Sequence, residues 1–286
     1  MRARSIQLAL ILAGCGLSAC VSLPPAHVAL DVKARDNVQS TDVIAPVRQG
    51  EIYVFVPQTS SAGQGLLGAV IAAGVDGVRT SNAEGAVRPL RDAVVDFDFD
   101  GLLRQDLKAS MSQVQWLHVG DVRVIKEVAT ASMDGAIAGS KASAVLMANA
   151  DYHLSTDGGT LYITIAARLF PNSPALTPIK PADAESKPRS DFSNAIYRNV
   201  FMFQARIPGA TDTRRLNMDI WAANHGELLR ATMTKGLSKL TGLIATDIQE
   251  APVAATEPAK TDTVLADGPD GVLTRHANGT LAFATK

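Results

Sequence analysis

The residues of this sequence whose types and spacing most clearly indicate chemistry are its two cysteines, Cys15 and Cys20. Both follow a short apolar run at residues 6–13, and two arginines stand within the first four residues. A basic start, a short apolar run and small residues before a boundary are typical of a secretory signal. Because a bilayer-spanning helix needs roughly 20 apolar residues, this run is too short to cross a membrane. The sequence therefore predicts a signal peptide at residues 1–19, with a thiol at the point of cleavage.

Residues 17–20, Leu-Ser-Ala-Cys, resemble the lipobox of bacterial lipoproteins. The resemblance implies cleavage before Cys20, whose thiol then carries three fatty acyl chains, palmitate among them. Because Val21 rather than an aspartate follows, it also implies sorting to the outer membrane, with the chain facing the periplasm. Residues 12–15, Leu-Ala-Gly-Cys, fit the same pattern. Cleavage before Cys15 would leave an apolar core of about 7 residues, the lower edge of the usual range, so Cys20 is preferred.

An ordinary signal peptide cut near Ala19 is the alternative to lipidation, and it would leave an unanchored periplasmic protein. Such signals do not require a cysteine at the cut. With cleavage before Cys20 the mature chain keeps one cysteine, which carries the lipid, so no disulfide within the chain is expected. The apolar content of 47% is ordinary for a globular protein with a hydrophobic core. The sequence has no basic patch or stripe, so nucleic acid is not expected as a partner.

Three carboxylates at alternate positions, Asp96, Asp98 and Asp100, are followed by Gly101. The pattern matches the opening of a calcium-binding loop, in which oxygen ligands alternate and a glycine stands at the sixth position. The twelfth position of such a loop supplies a bidentate glutamate, but here it is Leu107. The competing interpretation is a helix start, because aspartates there cap free N–H groups and interact favourably with the helix dipole. A metal site at the three carboxylates is kept as the weaker alternative.

A formal G-x-G-x-x-G pattern lies at residues 63–68, after a strand predicted at Ile52–Val56. In dinucleotide-binding folds such glycines let the backbone approach a pyrophosphate at a helix start. Here six residues separate the strand from the first glycine, where that fold has an immediate turn. The wider segment 63–78 repeats small residues every four positions, which places them on one face of a predicted helix. Small residues on one helix face permit close approach of another backbone. We therefore expect this helix either to pack within its own domain or to lie on the bilayer or on a partner.

Sequence patterns for catalysis are missing. The five histidines do not stand at metal-ligand spacing from one another, and the sequence has no H-E-x-x-H, G-x-S-x-G or G-x-x-x-x-G-K-[ST] pattern. No cofactor is therefore expected. An enzyme would need residues that converge only in the fold, and His153, Asp157 and His225 are the candidates. Their assembly in one deep pocket with perturbed pKa values would indicate such a site.

Hydrophobic periodicity predicts an α+β fold, with a mixed β-sheet and packed helices. Alternating apolar residues predict a hairpin whose strands flank the turn at residues 157–159. A helix is predicted over Arg91–Val114, and a sustained apolar stripe predicts a long C-terminal helix over Asp219–Ile248. Asn217 or Asp219 is the expected cap of that last helix.

Composition predicts the domain limits. The chain divides into a signal peptide at 1–19, a tether at 20–48, a single α+β domain at 49–249, a linker at 250–268 and a C-terminal β-hairpin at 269–286. Prolines punctuate the predicted tether and the predicted linker. Asn278-Gly279 is the hairpin signal, because both residues tolerate the positive φ of a tight turn.

The order of elements over about residues 50–248 resembles lipoproteins of the curli-secretion-channel and penicillin-binding-protein-activator type, and the first domain of the Tol–Pal translocation protein. The sequence predicts a non-enzymatic, lipid-anchored envelope protein that binds or scaffolds another envelope protein. The proline-rich loop at 171–189 and the helix at 63–78 are its expected contact surfaces. Two other expectations stay open: a periplasmic hydrolase or ligand-binding enzyme, and a homo-oligomeric secretion-channel subunit.

Overall fold

A computed structural model describes most of the chain, namely residues 27–56, 81–126, 128–176, 187–250 and 261–286. Cys15 and Cys20 lie outside the described residues, and so does the predicted signal peptide. The same holds for the predicted helix at 63–78, with its G-x-G-x-x-G pattern, and for residues 177–186 of the proline-rich loop. Among the residues that are described, no helix is both long enough and apolar enough to cross a bilayer.

The fold is α+β, as the sequence predicts, and it is built on one mixed sheet. The described strands are β1 Thr41–Pro46, β2 Tyr53–Val54, β3 Val119–Ile125, β4 Ala144–Leu154, β5 Thr160–Pro171, β6 Tyr197–Arg206, β7 Thr263–Gly268, β8 Gly271–Arg275 and β9 Leu281–Ala284. The described helices are α1 Val32–Arg35, α2 at residues 81–93, α3 Phe99–Met111, α4 Thr130–Ala138 and α5 Arg214–Gln249.

The strands follow the order β3-β1-β4-β5-β6-β9-β8-β7, and β2 also pairs with β4. Neighbours are antiparallel from β4 to β6 and again from β9 to β7. Strand β1 pairs in parallel with β3 and with β4, β2 pairs in parallel with β4, and β6 pairs in parallel with β9. Parallel pairs need long crossover connections, which accounts for the helices between β1 and β4 and for α5 between β6 and β9.

The antiparallel strands β4, β5 and β6 form the centre of the sheet. In β5 the side chains of Ile163 and Ile165 are fully buried, whereas those of Tyr162 and Thr164, which alternate with them along the strand, are half-buried. Such alternation is expected where one face of a sheet covers a core. The predicted hairpin is confirmed, and its turn contains Gly158 with a φ of +71°, which glycine adopts without steric cost.

Helices α3 and α5 cover the core face of the sheet. The apolar stripe predicted for the C-terminal helix is buried, which confirms that this helix packs on the sheet. Its members are Leu229, Met233, Leu237, Leu240 and Ile244. On α3 the side chains of Leu103, Leu107 and Met111 are fully buried as well.

The prediction of one helix over Arg91–Val114 is wrong, because the chain makes two helices there. Helix α2 ends at residue 93, residues 94–96 form a turn, and α3 begins at Phe99. Asp98 is the N-cap of α3, and its Oδ1 accepts a hydrogen bond of 2.8 Å from the backbone N–H of Gly101. An aspartate side chain that binds nearby backbone N–H groups favours a helix start over a helix interior.

Helix α5 begins at Arg214, earlier than predicted, and neither expected cap residue caps it. Thr213 holds the N-cap position without a side-chain hydrogen bond. Asn217 lies inside the helix instead, where its Oδ1 accepts a 2.9 Å hydrogen bond from the N–H of Thr211. The side-chain amide of Asn217 therefore binds the loop before α5 and does not cap the helix.

Helix α5 is also interrupted, at residues 223–226. Asn224, His225 and Gly226 have φ values of +52°, +58° and +72°. At Gly226 a Cβ atom would lie 2.5 Å from Cγ1 of Val94, so the chain passes too close to the turn after α2 for a larger residue. The predicted uninterrupted helix over Asp219–Ile248 is therefore two helical segments.

The predicted tether at 20–48 is wrong for the part that is described. Strand β1 lies between β3 and β4, and its Val43, Ile44 and Ala45 are completely buried. A parallel strand with neighbours on both sides is buried on both faces, so it shows no alternation that would distinguish it from a linker. Residues 20–26 of the predicted tether lie outside the described stretches.

The first described residues are fixed to the edge of β6. The N–H of Val28 donates to the carbonyl of Arg198 over 2.7 Å, and the N–H of Arg198 donates back over 3.0 Å. The N–H of His27 donates to the carbonyl of Asn278 over 3.3 Å. Leu30 is buried in the main core. Residues 27–30 are therefore part of the folded body.

The C-terminal hairpin is confirmed, because β8 and β9 pair around Asn278-Gly279. It packs on the domain through β9, which pairs in parallel with β6. The predicted linker at 250–268 is wrong for residues 263–268, which form β7. Strand β7 is the last in the sheet, and its Val264 and Leu265 are exposed.

Two glycines of α5 allow a matched test of the packing between α5 and the sheet. At Gly236 a Cβ atom would lie 2.7 Å from Cδ1 of Ile163 and 2.8 Å from Cδ1 of Phe203, whereas at Gly242 it would meet nothing within 4 Å. We expect Gly236→Ala to lower the free energy of unfolding by about 1–3 kcal/mol through overpacking. Gly242→Ala should raise it by about 0.5–1 kcal/mol through helix propensity. Urea denaturation measures both, and a gain in stability for Gly236→Ala would contradict the close packing.

Candidate binding surface on the second face of the sheet

The second face of the sheet is only partly covered. Of the described helices, α4 alone contributes a buried side chain to the small apolar cluster on this face, where Ile137 packs against Val145, Met147 and Phe170. Beyond this cluster the side chains of the central strands on this face are half-buried. They include Tyr53, Asp151, His153, Tyr162, Thr164, Val200, Met202, Ala282 and Ala284.

Three rings stand side by side across this face. Tyr53 of β2 is the register partner of His153 in β4, and His153 is the partner of Tyr162 in β5. Ring centroids are 5.5 Å apart for Tyr53 and His153, and 5.3 Å apart for His153 and Tyr162, both in stacked orientation. The ring of Phe55 lies 5.8 Å from that of His153. Cross-strand aromatic pairs of this kind stabilise a sheet.

Asp151 connects two of these rings. It precedes His153 by two residues on the same strand, so both side chains lie on the same face. The hydroxyl of Tyr53 donates to the carboxylate of Asp151 at 3.2 Å, and Nδ1 of His153 lies 3.0 Å from Oδ2. We call Tyr53, Asp151, His153 and Tyr162 the tyrosine–histidine row.

Hydrogen bonding within the row fixes the roles of its atoms. Burial, and then the charge and hydrogen bond of Asp151, raise the pKa of Tyr53 to about 12, so its phenol stays a donor at neutral pH. A carboxylate accepts hydrogen bonds, so Nδ1 of His153 is the donor to Oδ2 of Asp151. No described residue forms a hydrogen bond to the other ring nitrogen, Nε2. The row therefore presents Nε2 of His153 to a ligand, beside the Tyr162 ring.

This arrangement is suited to binding. Half-buried tyrosine and histidine side chains supply an apolar body and a polar tip, which is the composition of many recognition surfaces.

The three residues proposed to converge on a catalytic pocket have separate partners. Asp157 lies in the β4–β5 turn, where the hydroxyl of Ser155 donates to it and, as the largest cause, lowers the pKa of this carboxyl. His225 lies in the interruption of α5, and its carbonyl accepts a 3.0 Å hydrogen bond from Nε of Arg230. Only His153 takes part in the row.

The carboxylates considered for calcium also have separate partners. Asp98 caps α3, Asp96 pairs with Arg230, and Oδ2 of Asp100 lies 2.5 Å from Nζ of Lys126. The hydrogen bond from Arg230 is the largest cause that lowers the pKa of Asp96. In the part of the chain that the structure describes, no group of three or more His, Cys, Asp or Glu side chains is placed to hold a metal ion. The geometry thus favours the helix-start interpretation.

A second polar cluster is buried next to the N-terminal stretch. The hydroxyl of Tyr197 and the amide of Asn199 donate to Oδ2 of Asp247 at 2.8 and 3.0 Å. Burial is the main cause that raises the pKa of Tyr197. Nε2 of His27 lies 3.7 Å from the same carboxylate oxygen. Because these groups satisfy one another in the core, we assign them a structural role in holding residue 27 against α5 and β6.

No family model and no curated protein matches the chain. Among solved structures, a PelC dodecamer from Paraburkholderia phytofirmans is similar to 78% of this chain and 96% of its own, with 9% identity and a TM-score of 0.27. A single-residue variant of the same PelC dodecamer gives 13% identity and a TM-score of 0.23, over 76% of this chain and 94% of its own. Similarity of this degree carries no conclusion about the fold, assembly or function of this chain.

Proposed function

We propose that this protein is a non-enzymatic lipoprotein of the outer membrane, anchored through Cys20 and facing the periplasm, which binds another envelope protein. The resemblance of residues 17–20 to a lipobox supports the anchor. The tyrosine–histidine row supports the binding role, and it is the observation that carries the proposal. The row lies on a sheet face that the described helices leave half-exposed.

The row and its neighbours indicate the chemistry of the partner. Nε2 of His153 is open to a hydrogen bond from a ligand or to one, and Tyr162 offers a phenol on the adjacent strand. Along the same face, Thr164 is paired with Met202, and Met202 with Ala282, so an apolar strip adjoins the row. A protein surface with a hydrogen-bonding side chain flanked by apolar side chains fits this combination, because interface centres are apolar and rich in aromatic residues.

Site-specific photo-crosslinking in intact cells tests the binding role. A photoreactive phenylalanine analogue in place of Tyr162 is expected to give one adduct with an envelope protein. The same analogue in place of Leu216, which is 50% exposed on α5, is the control and should not give that adduct. No adduct at Tyr162, or the same adduct at both positions, would count against the row as the contact surface.

Variants of the row provide the quantitative prediction. Asp151→Ala removes the acceptor that positions Tyr53 and His153, and we expect partner binding to weaken about 30-fold, the loss typical of an interface hot spot. Asp219→Ala removes a carboxylate on the outer side of α5 that pairs with Arg215, and it should leave binding unchanged. Affinity is measured with the purified partner that the crosslink identifies. Equal affinities for the two variants would overturn the assignment.

One observation favours a second function, a periplasmic hydrolase or ligand-binding enzyme. Asp151 holds the His153 ring as a carboxylate holds a general base. Loss of a measured turnover in His153→Gln, with the fold retained, would favour catalysis over binding. A homo-oligomer, including a secretion-channel subunit, stays a prediction that sedimentation equilibrium of the lipid-free chain tests, since a monomer mass would contradict it.

A further inference from the structure

Two arginines face each other on the second face of the sheet. Arg168 of β5 and Arg198 of β6 are direct register partners. Like charges directly opposite each other destabilise an antiparallel pair. Neither guanidinium forms an ion pair with a carboxylate of the described residues, and the main contacts of Arg198 are the ring and carbonyl of Phe192. Within the described residues, the pair is therefore a positive charge without an ion-paired carboxylate, placed between two neighbouring central strands.

The surroundings of the pair withhold solvent, and no described carboxylate forms an ion pair with either guanidinium. Arg168 is half-buried, and burial followed by the charge of Arg198 lowers its pKa. Nε of Arg198 is buried and has no hydrogen-bond partner, which is costly for a charged group. Its Nη1 donates to the carbonyl of Phe192 over 3.4 Å, a long bond that leaves most of its donors to spare.

A cleft of about 250 Å³ opens beside Arg168, between α4 and the segment at 188–192. The N–H of Ser190 donates to Asp134 over 2.7 Å and holds that segment on α4. Asp191 also lines the cleft, and its Oδ1 accepts from the N–H of Ser193 over 2.9 Å. Lys187 and Arg189 stand just before and within the same segment, and both are exposed.

The chemistry of the pair selects its ligand. A guanidinium offers parallel N–H donors that match two oxygens of a phosphate or carboxylate. Two guanidiniums that repel each other across a strand pair gain most from a ligand that carries at least one full negative charge between them. A tetrahedral phosphate has enough oxygens to accept hydrogen bonds from both arginines at once.

The position of the pair in the chain connects it to the anchor. Arg198 exchanges two backbone hydrogen bonds with Val28. Val28 lies eight positions after Cys20, and an extended chain spans at most about 3.5 Å per residue, or about 28 Å in all. If Cys20 carries lipid, as the proposed function states, the backbone of Arg198 stays within that distance of the headgroup layer.

We propose that Arg168 and Arg198 form a binding site for a phosphate group, and that its source is the headgroup of an anionic phospholipid in the membrane that holds the anchor. The lipid source rests on the proposed function, whereas the phosphate site rests on the arginine pair alone. Occupation of the site would orient the body on the membrane by a second contact besides the acylated cysteine.

Vesicle binding tests the proposal. The protein is residues 21–286, the mature chain without the acylated cysteine, which contains every described element. It is mixed with vesicles of phosphatidylcholine, with or without phosphatidylglycerol. We expect co-sedimentation only with phosphatidylglycerol, and a loss of at least tenfold in affinity for both Arg168→Gln and Arg198→Gln. Arg215→Gln is the matched control, because it removes the same charge from an exposed position on α5, and it should bind as the unchanged chain does.

Each further outcome decides between the parts of the proposal. Equal losses in all three variants would show charge attraction without a site and would overturn the proposal. Binding of inorganic phosphate that depends on both arginines, without vesicle binding, would keep the phosphate site and overturn the lipid source. Thermal unfolding shows whether the variants fold, and Arg168→Lys with Arg198→Lys supplies variants that keep the charge but lose the planar fork. Because the protein used carries no lipid, failure here is distinct from failure of the anchor at Cys20.

Discussion

Replacing Cys20 with serine is expected to abolish incorporation of labelled palmitate and to remove the protein from the outer membrane. The physical reason is the nucleophile, since a thiolate attacks far more readily than a hydroxyl at neutral pH. Two lipid signals suffice for stable anchoring, and the loss should therefore be nearly complete.

Cys15→Ser is the control for this prediction, because Cys15 ends the competing pattern at residues 12–15. It should keep the label and the membrane location. Label that persists on Cys20→Ser but disappears from Cys15→Ser would show that the other cysteine is modified. Label on neither unchanged nor altered chains would favour an ordinary signal cut near Ala19 and overturn the proposed anchor.

Replacing Trp221 with alanine is expected to lower the free energy of unfolding by about 3–5 kcal/mol, the cost of removing a large buried aromatic side chain. Trp221 is 1% exposed and is the largest fully buried side chain. Its Nε1 donates to the carbonyl of Gly158 over 2.8 Å. The side chain thus joins the first segment of α5 to the turn between β4 and β5.

Trp221→Phe separates packing from the hydrogen bond. It keeps most of the ring but leaves the Gly158 carbonyl without its donor, for which we expect a smaller loss of about 1–2 kcal/mol. Urea denaturation followed by far-ultraviolet circular dichroism measures both variants. A loss below about 1 kcal/mol for Trp221→Ala would mean that the first segment of α5 contributes little to the core.

The parts of the fold that the sequence predicted are those with a local period. Alternation in β5 and the four-residue stripe of α5 each identify a buried face without knowledge of the rest of the chain. Strand β1 has no such signal. Val43, Ile44 and Ala45 are buried on both faces, and the run ends at Pro46, so a central strand has the composition of a short apolar patch in a linker. Its burial depends on β3 and β4, which lie far away in the sequence.

The tyrosine–histidine row could not be predicted for a related reason. The spacing of Asp151 and His153 places both on one face of a strand, which the sequence shows. Tyr53, however, is 98 residues from Asp151 in the sequence, and only the register of β2 on β4 brings them together. Register between distant strands depends on the whole core, and no local pattern encodes it. The arginine pair at Arg168 and Arg198 depends on register in the same way.

Among the described strands, β7 is the last of the sheet, and its position has a consequence for how the protein must be handled in solution. An edge strand has unpaired N–H and C=O groups, with which a strand of another molecule can pair. The exposed apolar side chains of Val264 and Leu265 favour such aggregation. The chain counters this with an irregular register between Val264 and Ala266 and with an ion pair of 2.6 Å between Lys286 and Asp267. Both devices obstruct fibrillar stacking, because a bulge twists the edge and a charge resists dehydration.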